Sequence, residues 1–417
     1  MAELQKVTLG LIGQGTIGSG VVKLLRKGYG KNRNVKFRLK RIVDVNPKCK
    51  KYPGIKYSKK VDDILTDPNI DIVIELIGGY EPAYSIMRDA IKAGKHVVTA
   101  NKAVVSKFGP MLFKKARAAG VSVGFEASVC GSIPILRTIM DSLPNPISNI
   151  VGILNGSTNY ILTKMTEQDY GEALRDAQLK GFAERDPRFD VEGLDAAQKL
   201  SILSMLAFNK WVNPDKIYTE GITQLAALDI KIAAKMGYAI KLVAVGDDGV
   251  PASLRVHPAM VPLTHPLAHV QNEFNAVYLE GAATGPQTYI GKGAGELPTA
   301  NAVLSDCVNI ALGQAFETPE CPYRSAPLED MNNLESRYYI RFTTQQRIGI
   351  LAKLSDSFAR HKVSISIDNI PQLGSGDHES TILLTHPTLE AQVRAALRHL
   401  SRKRINAAPP VLIRIMD

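Results

Sequence analysis

Between Gly181 and Lys199 the chain reads GFAERDPRFDVEGLDAAQK and sets the carboxylates of Glu184, Asp186, Asp190, Glu192 and Asp195 ahead of the Lys199 amine. A fixed carboxylate can hold an ammonium group, and an amine can take up or return a proton at a reacting hydroxyl. Lysine ordinarily titrates near 10.4, so burial or a neighbouring cation must lower that value before it can act as a base near neutrality. Asp186-Pro187 breaks a helix and Gly193 permits a turn. The apolar spacing of LDAAQKLSILSMLAF then predicts a helix from near Leu194, with Asp195 and Lys199 four apart on one face. The plain alternatives are a solvated charged loop and a helix-surface ion pair worth only about 0.2–0.5 kcal/mol.

What must position these groups is legible upstream. KVTLGLIG, SGVVKLLRKG, FRLKRIVDV, DIVIELIGG, SIMRDAIKAG and KHVVTA alternate strand and helix patterns, the signature of a parallel sheet with crossover helices. The first turn carries Gly13, Gln14, Gly15, Thr16, Ile17 and Gly18, a GxGxxG that follows a strand and opens a helix, and Asp44 closes the next strand. In that context the glycines allow a tight turn, close approach of a pyrophosphate and helix-to-sheet packing, while the helix N-terminus aims N–H donors at the anion. A glycine-rich turn without a ligand is the alternative. Asp44 suits an adenosine ribose and repels a 2′-phosphate, which favours NAD; Lys48, Lys50 and Lys51 offset that repulsion and leave NADP open.

The 417 residues suffice for two or three domains, and 45% hydrophobic with 22% charged residues is an ordinary globular composition. The net charge of +11 is spread along the chain without aromatic interleaving, so it points to an anionic substrate or cofactor and away from nucleic acid. Cys49, Cys130, Cys307 and Cys321 have no metal-ligand spacing, and no apolar run is long enough to span a membrane. A reducing, cytoplasmic setting is expected. Residues from about Cys130 to Asn309 read as a mixed α+β region. TPECPYRSAP then marks a boundary, and after it RYYIRFTT, ILAKLSDSFARH, VSISIDNI, STILLTH, LEAQVRAALRHL and VLIRIM give β-α-β-β-α-β, a ferredoxin-like unit.

TANKA at Thr99 to Ala103, FEASVCGSIPI at Phe125 to Ile135, GILNGSTNYIL at Gly152 to Leu162, the stretch from Gly181 to Lys199 and GKGAGELPTANAV join the glycine turn in one pattern. With these motifs the chain resembles homoserine dehydrogenases over essentially its whole length, and its tail resembles an ACT regulatory domain. The resemblance implies an α/β fold of three parts: a Rossmann domain over 1–130 with a return helix at about 299–316, a central α+β catalytic and association domain over 131–318, and an ACT domain over 335–417.

The same likeness implies that L-homoserine and L-aspartate-4-semialdehyde are interconverted with NAD or NADP. Lys199 and Lys102 would serve catalysis, Asp195 would hold lysine and substrate, and Glu184 would receive the substrate ammonium. Gly13, Gly15, Thr16, Ile17, Gly18, Asp44, Lys102, Asn155, Gly156, Ser157 and Gly293 would hold the cofactor. Glu126, Val129, Gly131 and Ile133 would form a site for Na+ or K+, threonine would act on the tail, and the assembly would be a homodimer or homotetramer. Two departures stand out: Gln346-Arg347-Ile348-Gly349 where ACT domains often carry Asp-x-Pro-Gly, and Ser132 where glycine is usual. Another amino-acid or sugar dehydrogenase of this plan, and an idle dinucleotide and amino-acid sensor, are the competing readings.

Overall fold

The computed structural model describes residues 4–47, 49–142, 144–315, 317–343, 349–366, 380–402 and 408–416. Lys48, Gln346, Arg347, Ile348 and the expected strand residues beyond Ser366 lie outside them. The chain divides into two compact units, Met1–Ile150 with Ala197–Ile217 and Asn275–Ala326, and Val151–Ala196 with Tyr218–Phe274 and Pro327–Asp417.

In the first unit β1 (Gln5–Ile12), β2 (Val35–Val43), β3 (Lys56–Ser58), β4 (Ile72–Glu75), β5 (His96–Thr99) and β6 (Val123–Gly124) lie in the order β3-β2-β1-β4-β5-β6. Every neighbouring pair is parallel. The apolar runs noted in the sequence are these strands, buried because helices cover a parallel sheet on both faces. Leu9, Leu11, Ile42, Ile72, Ile74 and Val98 meet Val21 and Val22 of the Thr16–Arg26 helix in one core. The return helix runs Glu296–Ala311 and adds Ala300, Val303, Leu304 and Cys307 to that core. Strand order reverses between β1 and β4, so the crevice outside their carboxyl ends is where such sheets take ligands.

The second unit holds a mixed sheet. Tyr238–Asp247 pairs antiparallel with Ser253–Pro262, whose other edge runs parallel to Val411–Ile415 through Ala259 with Arg414 and Met260 with Ile415. Val411–Ile415, Glu335–Thr343, Ser380–Thr385 and Ile365–Ser366 then follow in antiparallel order. With the Ile350–Arg360 and Glu390–Arg402 helices this is the expected β-α-β-β-α-β order. Leu354 and Phe358, four apart on the first helix, pack with Phe342, Leu383, Val393 and Leu400 in its core. Full burial of a side chain of this size contributes about 1.5–3 kcal/mol.

The Pro-rich stretch therefore does not release the tail as a separate body within this unit, because its last strand continues the Ser253–Pro262 sheet. Two buried ion-pair clusters cross the same seam. Asp229, with no exposure, accepts from Arg341 Nε at 2.7 Å, Arg341 Nη2 at 3.0 Å and the Tyr339 hydroxyl at 2.8 Å. Arg414, 2% exposed, donates from Nε to Glu390 at 3.0 Å and from Nη1 to Glu220 at 2.8 Å.

Candidate active site

The first unit assembles a glycine turn beyond β1. Gly13 has φ +93°, and a Cβ there would stand 2.8 Å from the Leu76 carbonyl oxygen; at Gly18 it would stand 2.2 Å from that of Gly13. Neither position admits another residue without moving backbone. Nothing lies within 4 Å of the Cβ position at exposed Gly15, which leaves room for a ligand where the Thr16–Arg26 helix begins. Thr16 opens that helix, and Ile17 packs on the sheet core.

Asp44 stands directly after β2. Its Oδ2 accepts the Gln14 N–H at 2.5 Å and its Oδ1 the Asn46 N–H at 2.7 Å. The carboxylate is thereby locked beside the glycine turn. A dinucleotide fits these groups: donors at a helix N-terminus for the pyrophosphate, an acid at the next strand end for a ribose.

The neighbouring strand ends carry a network that sequence reading passed over. Glu75, fully buried, accepts from Thr99 Oγ1 at 2.7 Å and from the Ile77 N–H at 2.7 Å, and burial raises its pKa. Asn101 donates to the Gly79 carbonyl at 2.8 Å and caps the Lys102–Ala118 helix by accepting the Val104 N–H at 3.1 Å. Lys102, half-buried, is thus the first residue of a capped helix just past β5. A glutamate inside the apolar run DIVIELIGG was the available signal.

Glu126 lies in a one-turn helix after β6, 4% exposed. Its carboxylate accepts the Leu136 and Arg137 N–H groups, each at 2.9 Å, and its own N–H donates to Asp306 Oδ2 at 2.9 Å. Burial lifts the Glu126 pKa to about 7; burial, and then the Glu126 charge, raise Asp306 well above its ordinary value. Val129, Gly131 and Ile133 are buried alongside. A Cβ on Gly131 would stand 2.7 Å from the Gly293 carbonyl oxygen, so these loops abut, and Ser132 donates to the Lys292 carbonyl from its N–H at 3.0 Å and its hydroxyl at 2.9 Å.

The raised pKa has a measurable consequence. In buffer free of Na+ and K+, the native carboxyl between about pH 4.5 and 7 binds a proton that the unfolded chain releases, so stability falls as pH rises through that window. Thermal denaturation should give a lower Tm at pH 7.5 than at pH 5 for the parent, and a smaller difference for Glu126→Gln. An equal pH dependence in both would refute the assignment.

The second unit assembles the acids. Asn155 caps the Gly156–Lys164 helix, its Oδ1 accepting the Thr158 N–H at 2.8 Å. Its Nδ2 donates to Asp190 Oδ1 at 2.7 Å and to Asp195 Oδ2 at 2.8 Å. One amide therefore holds two carboxylates of the charged stretch. Ser157, beside Gly156 at the start of the same helix, donates its hydroxyl to the Phe182 carbonyl.

The helix runs Leu194–Ala207, as its spacing predicts. Asp195 is 2% and Lys199 8% exposed, which rejects the surface ion pair and the solvated loop for these two residues. Glu184, by contrast, is exposed. Cys49, Cys130, Cys307 and Cys321 form no disulfide; among the described residues no three His, Cys, Asp or Glu side chains group as metal ligands, and no helix is long and apolar enough to cross a membrane.

A parallel sheet in this strand order, with a glycine turn, an acid after β2 and a buried acid and amine one helical turn apart, defines a dinucleotide-dependent oxidoreductase. Comparison narrows the class. A family described as "Homoserine dehydrogenase" matches residues 134–308, and "Homoserine dehydrogenase, NAD binding domain" matches 13–126. The homoserine dehydrogenase of Synechocystis sp. is 39% identical over 436 aligned positions, covering 99% of this chain and 100% of that protein. That of Bacillus subtilis is 37% identical, with 95% of each chain covered. A crystal structure of a homoserine dehydrogenase from Thiobacillus denitrificans superposes with a TM-score of 0.91 at 37% identity, covering both chains completely. The chain belongs to the homoserine dehydrogenase family, and it is an NAD(P)-dependent oxidoreductase.

Proposed function

We propose that Lys199 exchanges the proton of the substrate hydroxyl, receiving it when L-homoserine is oxidised to L-aspartate-4-semialdehyde and returning it in the reduction. A nicotinamide held there would supply the hydride chemistry of the interconversion. The burial of Lys199 one turn after Asp195 carries this reading, because two ionisable side chains are seldom kept from water without a task. Asp195, held by Asn155, orients the lysine and the substrate; Glu184 receives the substrate ammonium; Lys102 contacts cofactor and substrate. Asn155, Gly156, Ser157 and Gly293 border the nicotinamide. A spectrophotometric assay with homoserine and each nicotinamide cofactor tests the reading, and no turnover with either would refute it.

Division into a nucleotide-binding part over 1–130, a catalytic and association part over 131–318 and an ACT-like part over 335–417 accompanies this reading. So do a threonine response of the tail and pairing of chains as a homodimer or homotetramer. Glu126, with carbonyls at Val129, Gly131 and Ile133, would hold Na+ or K+; a buried carboxylate favours a cation beside it.

Cofactor choice follows from Asp44. Its locked charge repels a 2′-phosphate, while exposed Lys50 and Lys51 attract one, so NAD should be used at least as well as NADP. Comparison of kcat/KM for the two cofactors decides this, and a preference for NADP above about tenfold, roughly 1.4 kcal/mol, would overturn it.

A further inference from the structure

We propose that the C-terminal β-α-β-β-α-β unit carries a second ligand site, a cavity that takes a compact oxyanion, either a phosphoryl or a carboxylate group. A cavity of about 430 Å³ is lined by His361, Ala395, Arg398, His399 and Arg402. Four of these lie at 395, 398, 399 and 402 on the Glu390–Arg402 helix, a spacing that puts them on one face, and His361 follows directly after the Ile350–Arg360 helix. The two imidazoles meet edge to face with centroids 5.6 Å apart. The volume falls within the range of small-molecule sites, and guanidinium groups suit two-pronged binding of phosphate or carboxylate.

Among the described residues no carboxylate lines the cavity. Each of the two helices has one acid, and both acids are engaged by arginines: Asp356 by Arg360 at 2.9 Å, and fully buried Glu390 by Arg394 and Arg414. Among the described residues the positive field of Arg398 and Arg402 is thus left uncompensated at the cavity. His361 Nε2, shielded from water, has no hydrogen-bond partner among the described residues, an arrangement a bound acceptor would relieve. A free amino acid would bring an ammonium into a cavity lined by arginines and imidazoles, so this chemistry selects an anion without a cationic group. The same helix carries Glu390 and Arg394, and Arg394 donates to the Tyr218 hydroxyl at 2.6 Å, so the site sits on an element tied into the seam described above.

The test uses the full-length chain saturated with NAD, which keeps the cofactor's phosphate donors occupied. Inorganic phosphate and, separately, malonate are titrated in, with binding read by calorimetry and by the imidazole resonances of His361 and His399. Saturable binding is expected with a Kd of about 1 mM or tighter for at least one probe, and both imidazoles should shift with the same midpoint. Phosphate alone would identify a phosphoryl ligand, malonate alone a carboxylate. Arg398→Ala with Arg402→Ala should weaken binding by about tenfold or more, in keeping with the loss of charged hydrogen bonds, while Lys353→Ala, an exposed cation on the Ile350–Arg360 helix, should change it less than about twofold. No saturable binding, unmoved imidazoles, undiminished affinity in the double variant, or an equal loss in Lys353→Ala would each overturn the proposal.

Discussion

Lys199→Ala is expected to lower kcat by about 10²–10⁴-fold, the usual contribution of a positioned acid or base. The Kd for NAD should stay within about twofold if, as proposed, the Gly13 to Gly18 turn and the Asp44 carboxylate hold the dinucleotide. Glu184→Gln should differ in kind. It removes the charge proposed to face the substrate ammonium and should raise KM for homoserine and for the aldehyde alike, since both carry that group. Steady-state kinetics in both directions, with NAD binding measured by fluorescence, separate the two outcomes. If Lys199→Ala kept more than about a tenth of the parent kcat, below even the weakest such contribution, the proton would have to be exchanged elsewhere, and Lys102 would be tested next.

Deletion of everything from Glu335 onward is expected to abolish soluble folded protein, not merely an effector response. The deletion uncovers the edge of Ser253–Pro262 that Val411–Ile415 occupies, leaves the Asp229 carboxylate buried without Arg341 and Tyr339, and strips Arg414 from Glu220. Loss of one partner of a buried ion pair typically costs about 3–5 kcal/mol, which rivals the whole stability of a domain, and an unpaired strand edge invites aggregation. Size-exclusion chromatography and circular dichroism of the truncated chain measure this. A monodisperse truncation with parent-like turnover would show the tail to be separable, as the Pro-rich stretch alone suggests.

The parts of the site that local sterics dictate were legible beforehand. Gly13 and Gly18 sit where any side chain collides with backbone, and the Leu194 helix start follows from Pro187, Gly193 and the apolar spacing after it. The burial of Lys199 was foreshadowed by Ala196, Ala197, Leu200 and Leu203, which leave its helix few polar faces. Contacts between distant residues left no trace. Asn155 grips Asp190 and Asp195 across 35 and 40 positions, and Thr99 reaches Glu75 across 24. Each such residue has an ordinary local role, a cap or a strand end, and only tertiary folding gives it the second one. The tail shows the same limit: its internal strand order could be read from alternation, but its pairing with a strand some 150 positions earlier could not.

That pairing also dictates when the second unit can form. Val411–Ile415 leaves the ribosome some 150 residues after Ser253–Pro262, yet it lies between that strand and Glu335–Thr343 in the sheet. At synthesis rates of about 5–20 residues per second, the Tyr238–Asp247 and Ser253–Pro262 hairpin waits about 7–30 seconds, with only Tyr218–Thr219 to pair beside Arg255 and Val256, before this partner emerges. The nucleotide-binding sheet, complete by Gly124, has no such wait for its strands. The chain therefore has a vulnerable interval during translation, and a stalled or prematurely terminated product is one that quality-control chaperones and proteases would meet with the edge at Ala259 and Met260 uncovered.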